Sequence, residues 1–347
     1  MKKKILFVCK KRNNSYDPTG ISYGLLNSCR FVGEAMESEF PDVFTYDIVV
    51  VTDNNDIERE VVRHKPTHVI IEALWVVPSK FEILLPKYKH ISWTVRLHSK
   101  APFIANEGIA FEWMHAYARL SLDHKNFGMS VNDKSFSKDM TDLFDQNVAW
   151  LPNVYNPAPC GHPRKELTDK NIIDIGCFGA IRPLKNHLEL AIAAITYADA
   201  CDLTLRFHIN SERVEQKGEP ILKNIRSLFA GTKHELVEHP WYNHHDFLKV
   251  VRTMDLGMQI SFSETFNSVA ADFVNNDVPV IVSDEIGWAS RLYQVSPTDT
   301  KKIIRKIKFA HNFNGLGVHY LNKMGLNSYN KKAIEGWLEY LFHNCNK

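Results

Sequence analysis

A short polar element between two apolar runs in the second half of the chain has the residue types that hold a diphosphate and sugar hydroxyls. Glu264 and Asp272 are eight residues apart and flank a turn that enters a predicted helix near Asn267. The amide groups of Phe266, Asn267 and Ser268 would then lie at the helix N-terminus, where an anion is favoured. In the simpler alternative, Glu264 caps the helix and Asp272 is a solvated surface residue.

Short apolar runs alternate with segments of helical spacing along the whole chain, which predicts β-α-β units and parallel sheets. The strands predicted in the first half are Lys4–Cys9, Tyr46–Val51, His68–Leu74, Ile91–Leu97, Tyr117–Leu122, Gly128–Val131 and Val148–Leu151. Those predicted in the second half are Asn171–Phe178, Leu203–Ile209, Leu256–Ile260 and Val278–Val282. The predicted helices include Ser22–Met36, Asp53–His64, Asp133–Phe144, His187–Tyr197 and Asn330–Phe342.

The alternation stops at residues 152–159, where three prolines stand within eight residues. Such a stretch is typical of an interdomain linker. We therefore predict a first domain over residues 1–155, a second over 156–325, and a C-terminal helix over 326–347 that packs back on the first domain. Each of the two domains is expected to be a Rossmann-like unit.

Composition excludes several classes of protein. The chain has 347 residues, of which 44% are hydrophobic and 24% charged, with a net charge of +2, as in an ordinary globular protein. No apolar run approaches the ~18 residues of a membrane span. Six scattered cysteines without a C-x-x-C pair favour a reducing, cytoplasmic setting. The dinucleotide-binding G-x-G-x-x-G, the P-loop and the G-x-S-x-G elbow are all absent.

The second half resembles the donor domain of GT-B glycosyltransferases, in particular the large retaining family four. The block from Glu264 to Asp272 is similar to the E-x7-E element of that family, and residues 178–185 (FGAIRPLK) resemble its strand and loop with an Arg and a Lys for the donor diphosphate. In the first half, Gly20 and Gly24 stand where the family has a glycine-rich turn, and His98 follows the fourth strand. The resemblance spans most of the chain, closely over residues 176–288.

This resemblance implies a fold of two facing Rossmann-like domains with a cleft between them, the first for the acceptor and the second for a nucleotide-sugar. The residues implied in catalysis are His98, Arg182, Lys185 and Glu264. Donor binding is implied for Gly179, Arg182, Lys185, Glu264, Phe266, Asn267, Ser268 and Asp272, and the acceptor side for Gly20, Gly24 and His98. Glu264 would meet the transferred sugar and Asp272 the ribose.

The sequence departs from the family pattern around the diphosphate. Asp272 stands where the family usually has Glu, which shortens its reach by one methylene. Ala180 replaces an arginine of the family, so that Arg182 is the nearby substitute, and Thr265 and Asn267 replace two turn glycines. A departing diphosphate would still be stabilised by Lys185 and Arg182 without a metal ion. No Asp-x-Asp triplet occurs, which argues against metal-dependent GT-A enzymes.

The expected activity is hexosyl or pentosyl transfer, with retention, from a nucleotide-diphosphate sugar such as a UDP-sugar to an acceptor hydroxyl. We expect no cofactor, no bound metal and no membrane span; the oligomeric state stays open. The leading acceptor hypothesis is a hydroxymethylated pyrimidine in phage DNA, because residues 258–288 resemble glycosyltransferases of tailed phages. The alternatives are a polysaccharide, lipopolysaccharide or small-molecule hydroxyl, and a sugar-nucleotide binding protein without turnover.

Two sequence features bear on the DNA hypothesis. Basic residues crowd the first twelve positions and the stretch from Lys80 to Lys100, where Glu82 is the sole acid. These charges could contact phosphates, although ordinary surface solubility is the simpler explanation. Trp75 and Trp93 could stack on an extruded base if they are exposed.

Overall fold

The computed structural model describes residues 2–11, 23–157, 161 and 171–343. The chain divides into two compact units: unit 1 comprises residues 1–157 and 330–347, and unit 2 comprises residues 158–329. The predicted boundaries follow residues 155 and 325, whereas the units divide after residues 157 and 329.

Unit 1 contains a parallel sheet with helices in the connections between its strands. Its strands are Lys3–Lys10 (β1), Phe44–Val51 (β2), His68–Glu72 (β3), Ser92–Leu97 (β4), Phe127–Val131 (β5) and Val148–Trp150 (β6). Its helices are Tyr23–Glu39 (α1), Asp56–His64 (α2), Pro78–Lys87 (α3), Ala101–Ile104 (α4), Ala110–Asp123 (α5) and Lys134–Phe144 (α6). The strand order is β2-β1-β3-β4-β5-β6, and every pairing is parallel.

Unit 2 repeats this architecture with a second parallel sheet. Its strands are Ile172–Gly176 (β7), Thr204–Asn210 (β8), Glu235–His239 (β9), Leu256–Gln259 (β10), Val280–Ser283 (β11) and Gln294–Val295 (β12). Its helices are His187–Ala200 (α7), Glu219–Phe229 (α8), His244–Val251 (α9), Ser268–Asn275 (α10) and Thr300–Asn312 (α11), followed by Tyr320–His343 (α12), which continues into unit 1. The order β12-β11-β10-β7-β8-β9 is the Rossmann strand order read from the opposite edge.

Apolar strands covered on both faces form the two cores. β1 is buried from Ile5 to Cys9, and β3 is buried throughout, which explains why both are continuous apolar runs rather than alternating ones. The two predicted Rossmann-like units and the parallel α/β class are therefore confirmed. No helix in the described part of the chain is both long and apolar enough to cross a membrane.

The prediction of a strand at Tyr117–Leu122 is wrong, because this segment is the second half of α5. The buried side chains of α5 include Ala110, Met114, Tyr117 and Leu120, which are spaced by three or four residues as on one helix face. Leu122 is 64% exposed, so the alternation of apolar residues near the helix end did not mark a strand face.

The predicted linker at residues 152–159 is in part a packed segment of unit 1. Asn153, Val154 and Tyr155 are buried, and the Tyr155 backbone exchanges two hydrogen bonds with the Asn330 side chain of α12. Residues 158–160 lie outside the described residues. This stretch is therefore packed within unit 1 at least as far as residue 155.

The basic stretch from Lys80 to Lys100 is not one exposed surface. Arg96 is fully buried in β4, and Lys87 forms an ion pair with Glu58. Trp93 is also fully buried, which removes it as a residue that could stack on a nucleic-acid base. Trp75 is partly buried, and its indole N–H donates to the Glu72 carbonyl at 2.9 Å.

Candidate functional site

The candidate site of unit 2 lies where the strand order of its sheet reverses. Strands β7 and β10 are adjacent in the sheet. The chain continues from β7 to β8, towards one edge of the sheet, and from β10 to β11, towards the other edge. In open parallel sheets this switch point is where ligands bind, at the carboxyl ends of the strands. The loops there are residues 177–186, after β7, and residues 260–267, after β10. The predicted donor-binding residues lie on these two loops and on α10, which follows the second loop.

Lys185 and Glu264 meet at this switch point. The ammonium group of Lys185 bonds directly to a carboxylate oxygen of Glu264, although the two residues are 79 positions apart. Their side chains are 12% and 10% exposed, so the pair is largely covered but still reaches the surface. A fixed ammonium can neutralise a phosphate oxygen, and a carboxylate can accept hydrogen bonds from sugar hydroxyls. The structure therefore brings together two residues that the sequence assigned to one ligand.

Gly179 holds the first loop in a conformation that favours glycine. Its φ is +116°, a region that residues with a side chain rarely adopt. Its amide donates to Oδ1 of Asn210 at 3.0 Å, and a Cβ at this position would lie 3.9 Å from Cε of Lys185. That distance is an ordinary van der Waals contact, so the backbone conformation, rather than crowding by Lys185, favours glycine here.

The two loops are tied to each other by hydrogen bonds that involve residues not singled out in the sequence. The side-chain amide of Asn186 donates to the carbonyls of Ile260 at 3.3 Å and Pro297 at 3.0 Å. The amide of Phe262 donates to the Leu184 carbonyl at 2.9 Å. These bonds join the residues on either side of Lys185 to residues 260 and 262, shortly before Glu264, and they tie the two loops together.

Arg182 is held by an acidic residue of the neighbouring loop. Its Nη1 lies 3.4 Å from Glu215, which also accepts a 2.7 Å hydrogen bond from Arg213. The side chain of Arg182 is 19% exposed. The guanidinium of Arg182 thus contacts the Glu215 carboxylate, which it shares with Arg213. The role of Arg182 in binding the diphosphate stays a prediction.

Asn267 and Ser268 begin α10 as the sequence predicts. Asn267 has a φ of +61°, and its side-chain oxygen accepts a 2.8 Å hydrogen bond from the Ala270 amide, which caps the helix. Its side-chain nitrogen donates to Gln259 at 3.2 Å, which ties the cap to β10. Ser268 is exposed in the first turn, where helix amides have no acceptor within the helix. This helix end can therefore receive an anion.

Phe266 can contribute only its backbone to that helix end. Its ring is 2% exposed and packs against Trp288 and Tyr329, with centroids 6.0 Å and 5.4 Å away. Its carbonyl accepts a 2.8 Å hydrogen bond from the indole of Trp288. The ring thus anchors the turn rather than facing a ligand.

Asp272 lies one turn further along α10 and is almost fully buried. Its Oδ1 lies 2.7 Å from Nε2 of His244, the first residue of α9. The side chains of Asp272 and His244 are 4% and 19% exposed. The alternative of a solvated surface aspartate is therefore wrong. His244, whose pairing with Asp272 the sequence did not predict, is the more accessible of the two.

In unit 1, His98 belongs to a cluster at the carboxyl ends of β3, β4 and β5. Its Nε2 bonds directly to the carboxylate of Glu72, and its Nδ1 lies 3.4 Å from Nδ2 of Asn132. Glu72 and its neighbour Arg96 are both fully buried, while the His98 side chain is 14% exposed. Parallel register pairs Glu72 with Arg96. The sequence singled out His98 but neither Glu72 nor Arg96.

Burial and charge act in opposite directions on Glu72. Burial alone raises the pKa of a carboxyl group, but the charges of Arg96 and His98 and their hydrogen bonds outweigh it. The pKa of Glu72 therefore lies below its ordinary value, and the carboxylate is ionised at neutral pH.

The remaining predicted acceptor-side residues contribute less. Gly20 lies outside the described residues. Gly24 is exposed in the first turn of α1 and has nothing within 4 Å of the position that a Cβ would take. The structure therefore gives Gly24 no special conformation or close contact.

The histidines near residue 240 also have identifiable partners. His239 ends β9, bonds through Nε2 to Nδ1 of His208 at 2.9 Å, and packs against Phe178. Burial, and then the charge of His208, lowers the pKa of His239 to about 4. Among the described residues, no group of three or more His, Cys, Asp or Glu side chains is arranged to hold a metal ion.

Comparisons with known proteins agree on the fold. No protein-family model matches the sequence, and no curated protein matches it. Among solved structures, a glycosyltransferase from Rickettsia africae is 13% identical with a TM-score of 0.70, over 99% of this chain and 98% of that one. A UDP-forming α,α-trehalose-phosphate synthase from Burkholderia vietnamiensis is 11% identical with a TM-score of 0.65, over 100% and 97%. A structure described as trehalose-6-phosphate from E. coli bound with UDP-2-fluoro glucose is 11% identical with a TM-score of 0.66, over 99% of both chains.

These similarities extend over nearly the full length of each chain. At such low sequence identities, they establish the fold. Both six-stranded parallel sheets, with their helices, are accounted for by that fold. The chain therefore has the GT-B fold of the trehalose-phosphate synthases and related glycosyltransferases.

Proposed function

We propose that the chain is a glycosyltransferase that uses a nucleotide-diphosphate sugar as its donor and an acceptor hydroxyl as its second substrate. The observation that carries this proposal is the Lys185–Glu264 pair at the switch point of a Rossmann-ordered sheet. Next to it are the glycine turn at Gly179 and the N-terminus of α10. Together they offer a cation, a close backbone and helix amides to a diphosphate.

The proposed chemistry requires stabilisation of the departing nucleoside diphosphate. Negative charge grows on this group as the glycosidic bond breaks, so that a positive group fixed beforehand favours the transition state. Lys185 supplies that charge, and the α10 amides add to it. Glu264 holds the ammonium in place and accepts hydrogen bonds from the sugar. We propose that transfer proceeds with retention and without a metal ion.

Within the donor site, Asp272 acts on the ribose together with His244. An aspartate that is 4% exposed offers little surface to a ligand, whereas His244 is bonded to it and is more exposed. A carboxylate that accepts the proton of one ring nitrogen fixes the orientation of the other. The ribose hydroxyls are then met by His244, held in place by Asp272.

For the acceptor, we propose the hydroxyl of a sugar or a sugar phosphate, bound by unit 1 next to His98. The trehalose-phosphate synthase likeness supports this class. The hydroxymethylpyrimidine hypothesis stays a prediction, and two of its supports are lost because Trp93 and Arg96 are buried. Polysaccharide, lipopolysaccharide and other small-molecule hydroxyls remain alternatives.

A donor and acceptor panel tests the proposal. UDP-, GDP-, ADP- and dTDP-sugars would first be screened for binding by calorimetry, with and without a chelator. The bound donors would then be incubated with free sugars, sugar phosphates, oligosaccharides and hydroxymethylated DNA, with mass spectrometry as the readout and NMR to assign the anomer. We expect one donor to bind and its sugar to be transferred to a sugar-class acceptor.

Each outcome of this panel has a defined meaning. Donor binding without transfer to any acceptor would favour the non-catalytic binding protein, and transfer to DNA alone would favour the hydroxymethylpyrimidine acceptor. A Glu264→Ala variant that retains full turnover would remove the site assignment. Failure of every nucleotide-sugar to bind would refute the proposed function.

A further inference from the structure

The carboxylate of Glu72 contacts two side chains, those of Arg96 and His98. A single nitrogen of Arg96, Nη1, reaches the two carboxylate oxygens at 3.2 Å and 3.3 Å. Charge-assisted hydrogen bonds between nitrogen and carboxylate oxygen are usually about 2.7–2.9 Å. The same carboxylate also bonds directly to His98 Nε2. Glu72 is therefore shared between the arginine and the histidine.

Arg96 obtains its shorter hydrogen bonds elsewhere. Its Nε and Nη2 donate at 2.9 Å to the carbonyls of Leu151 and Pro152, and Nη2 also donates to Asn153 at 2.7 Å. Its guanidinium lies 5.0 Å from the ring centroid of Trp337. Neutral groups thus accept most of the hydrogen bonds of the buried guanidinium, and the Glu72 carboxylate bonds to the histidine as well.

The backbone next to Glu72 is fixed in an uncommon conformation. Ala73 has a φ of +71°, in the left-handed region that residues with a Cβ rarely adopt. Its amide donates to the Arg96 carbonyl at 2.9 Å, and the Glu72 carbonyl accepts the indole N–H of Trp75 at 2.9 Å. The surrounding structure therefore determines where the carboxylate points.

We propose that Glu72 is a positioning residue that fixes the orientation of His98 for the acceptor. The ionised carboxylate accepts the Nε2 proton, so that the imidazole is held with Nδ1 turned towards Asn132. This inference rests on the proposed function, because it assumes that His98 meets the acceptor. It adds a residue to which neither the sequence nor the comparisons give a role.

The test replaces the carboxylate by a neutral amide of the same shape. NMR of ring-labelled histidine follows the titration of His98, and the His98→Asn variant assigns its signal. In Glu72→Gln, we expect the titration midpoint of His98 to move to lower pH by about one unit or more, since a neighbouring charge shifts a pKa by this amount. The kcat/KM for the acceptor is also measured as a function of pH. The part of this profile that reports the ionisation of His98 is expected to move to lower pH as well, whether the protonated or the neutral imidazole is the active form. Donor affinity stays within about twofold, because the donor groups belong to unit 2.

A matched control and a second pair of variants keep the test decisive. Asp47→Asn removes the carboxylate that lies 2.7 Å from His64 in the same unit, and it leaves the His98 midpoint unchanged. If Glu72→Gln does not fold because Arg96 loses its counter-charge, Glu72→Gln with Arg96→Met removes both buried charges and is measured in the same way. Glu72→Asp keeps the charge next to Arg96 but withdraws it from His98, and it lowers kcat at optimal pH.

Two results would overturn the inference. One is a folded Glu72→Gln protein whose His98 midpoint and acceptor pH profile match its reference, which is the wild type for the single variant and Arg96→Met for the combined variant, because loss of the Arg96 charge by itself moves the midpoint to higher pH. The other is full activity in Glu72→Asp at every pH. The NMR titration needs no turnover, so a chain that binds no nucleotide-sugar would refute the proposed function while the contact between Glu72 and His98 is still measured.

Discussion

Nε2 of His244 lies 2.7 Å from Oδ1 of Asp272, and this bond places an imidazole beside a carboxylate assigned to the ribose. Asp272 is 4% exposed and His244 is 19% exposed. The aspartate is one methylene shorter than the glutamate of the resembling family, and the histidine of α9 lies within its reach. The two residues form one polar unit at this end of the donor site.

The first prediction follows from this pairing. His244→Ala is expected to weaken donor binding roughly tenfold, the effect of losing one hydrogen bond to a hydroxyl. Calorimetry with the best donor of the panel measures it, and His245→Ala, at a neighbouring side chain that is 67% exposed, is the control. A large loss in Asp272→Asn with no loss in His244→Ala would show that the aspartate meets the ribose directly.

Lys185 gives the second prediction. Lys185→Ala removes the ammonium that we propose for the diphosphate, and we expect donor and nucleoside diphosphate affinity to fall by about 2 kcal/mol, roughly thirtyfold, with a further loss in kcat. Lys233→Ala is the matched control, because that lysine pairs with two aspartates on the surface of unit 2. Binding of the nucleoside diphosphate within twofold of wild type would contradict the assignment.

His187 makes the folded state sensitive to acid. Burial, and then the charges of Lys185 and Arg182, lowers the pKa of His187 to about 3. The unfolded state, with a pKa near 6.5, binds a proton before the folded state does, so the stability is complete above pH 6.5 and is lost as the pH falls from there towards 3. The loss is about 1.4 kcal/mol for each pH unit.

Urea unfolding between pH 7 and 4.5 measures this dependence. His187→Gln, which does not titrate, is expected to flatten the fall in unfolding free energy, whereas His245→Gln is expected to leave it unchanged because that side chain is largely exposed. An identical pH slope in wild type and His187→Gln would show that other groups cause the acid sensitivity.

Gly257 gives a prediction about packing beneath the donor site. This glycine of β10 lies against the buried ring of Phe273 on α10, and a Cβ would come within 2.7 Å of that ring. Gly257→Ala should therefore destabilise the protein by roughly 1–3 kcal/mol through overpacking. Gly287→Ala is the control, because nothing lies within 4 Å of the Cβ position there. Equal denaturation midpoints for the two variants would contradict this close packing.

The sequence was informative wherever function depends on local pattern. Buried parallel strands are continuous apolar runs, so the strands with such runs and the two α/β units could be predicted. Glu264 and Asn267 could be singled out because they lie in a polar turn between such a strand and a helix, and Lys185 could be singled out through the resemblance to GT-B donor domains. Short or polar strands such as β9 and β12 have no such run, and near Tyr117 an apolar alternation occurred on a helix.

Only the tertiary structure decided which distant residues meet. The contacts of Lys185 with Glu264, of Asp272 with His244 and of His98 with Glu72 join residues 79, 28 and 26 positions apart. Their formation depends on strand order and parallel register, which no short-range periodicity encodes. The sequence by itself determined the elements and the residue types at their ends. The three-dimensional structure decided which charges pair, because a side chain at a strand end acquires its partners from strands that are neighbours in space.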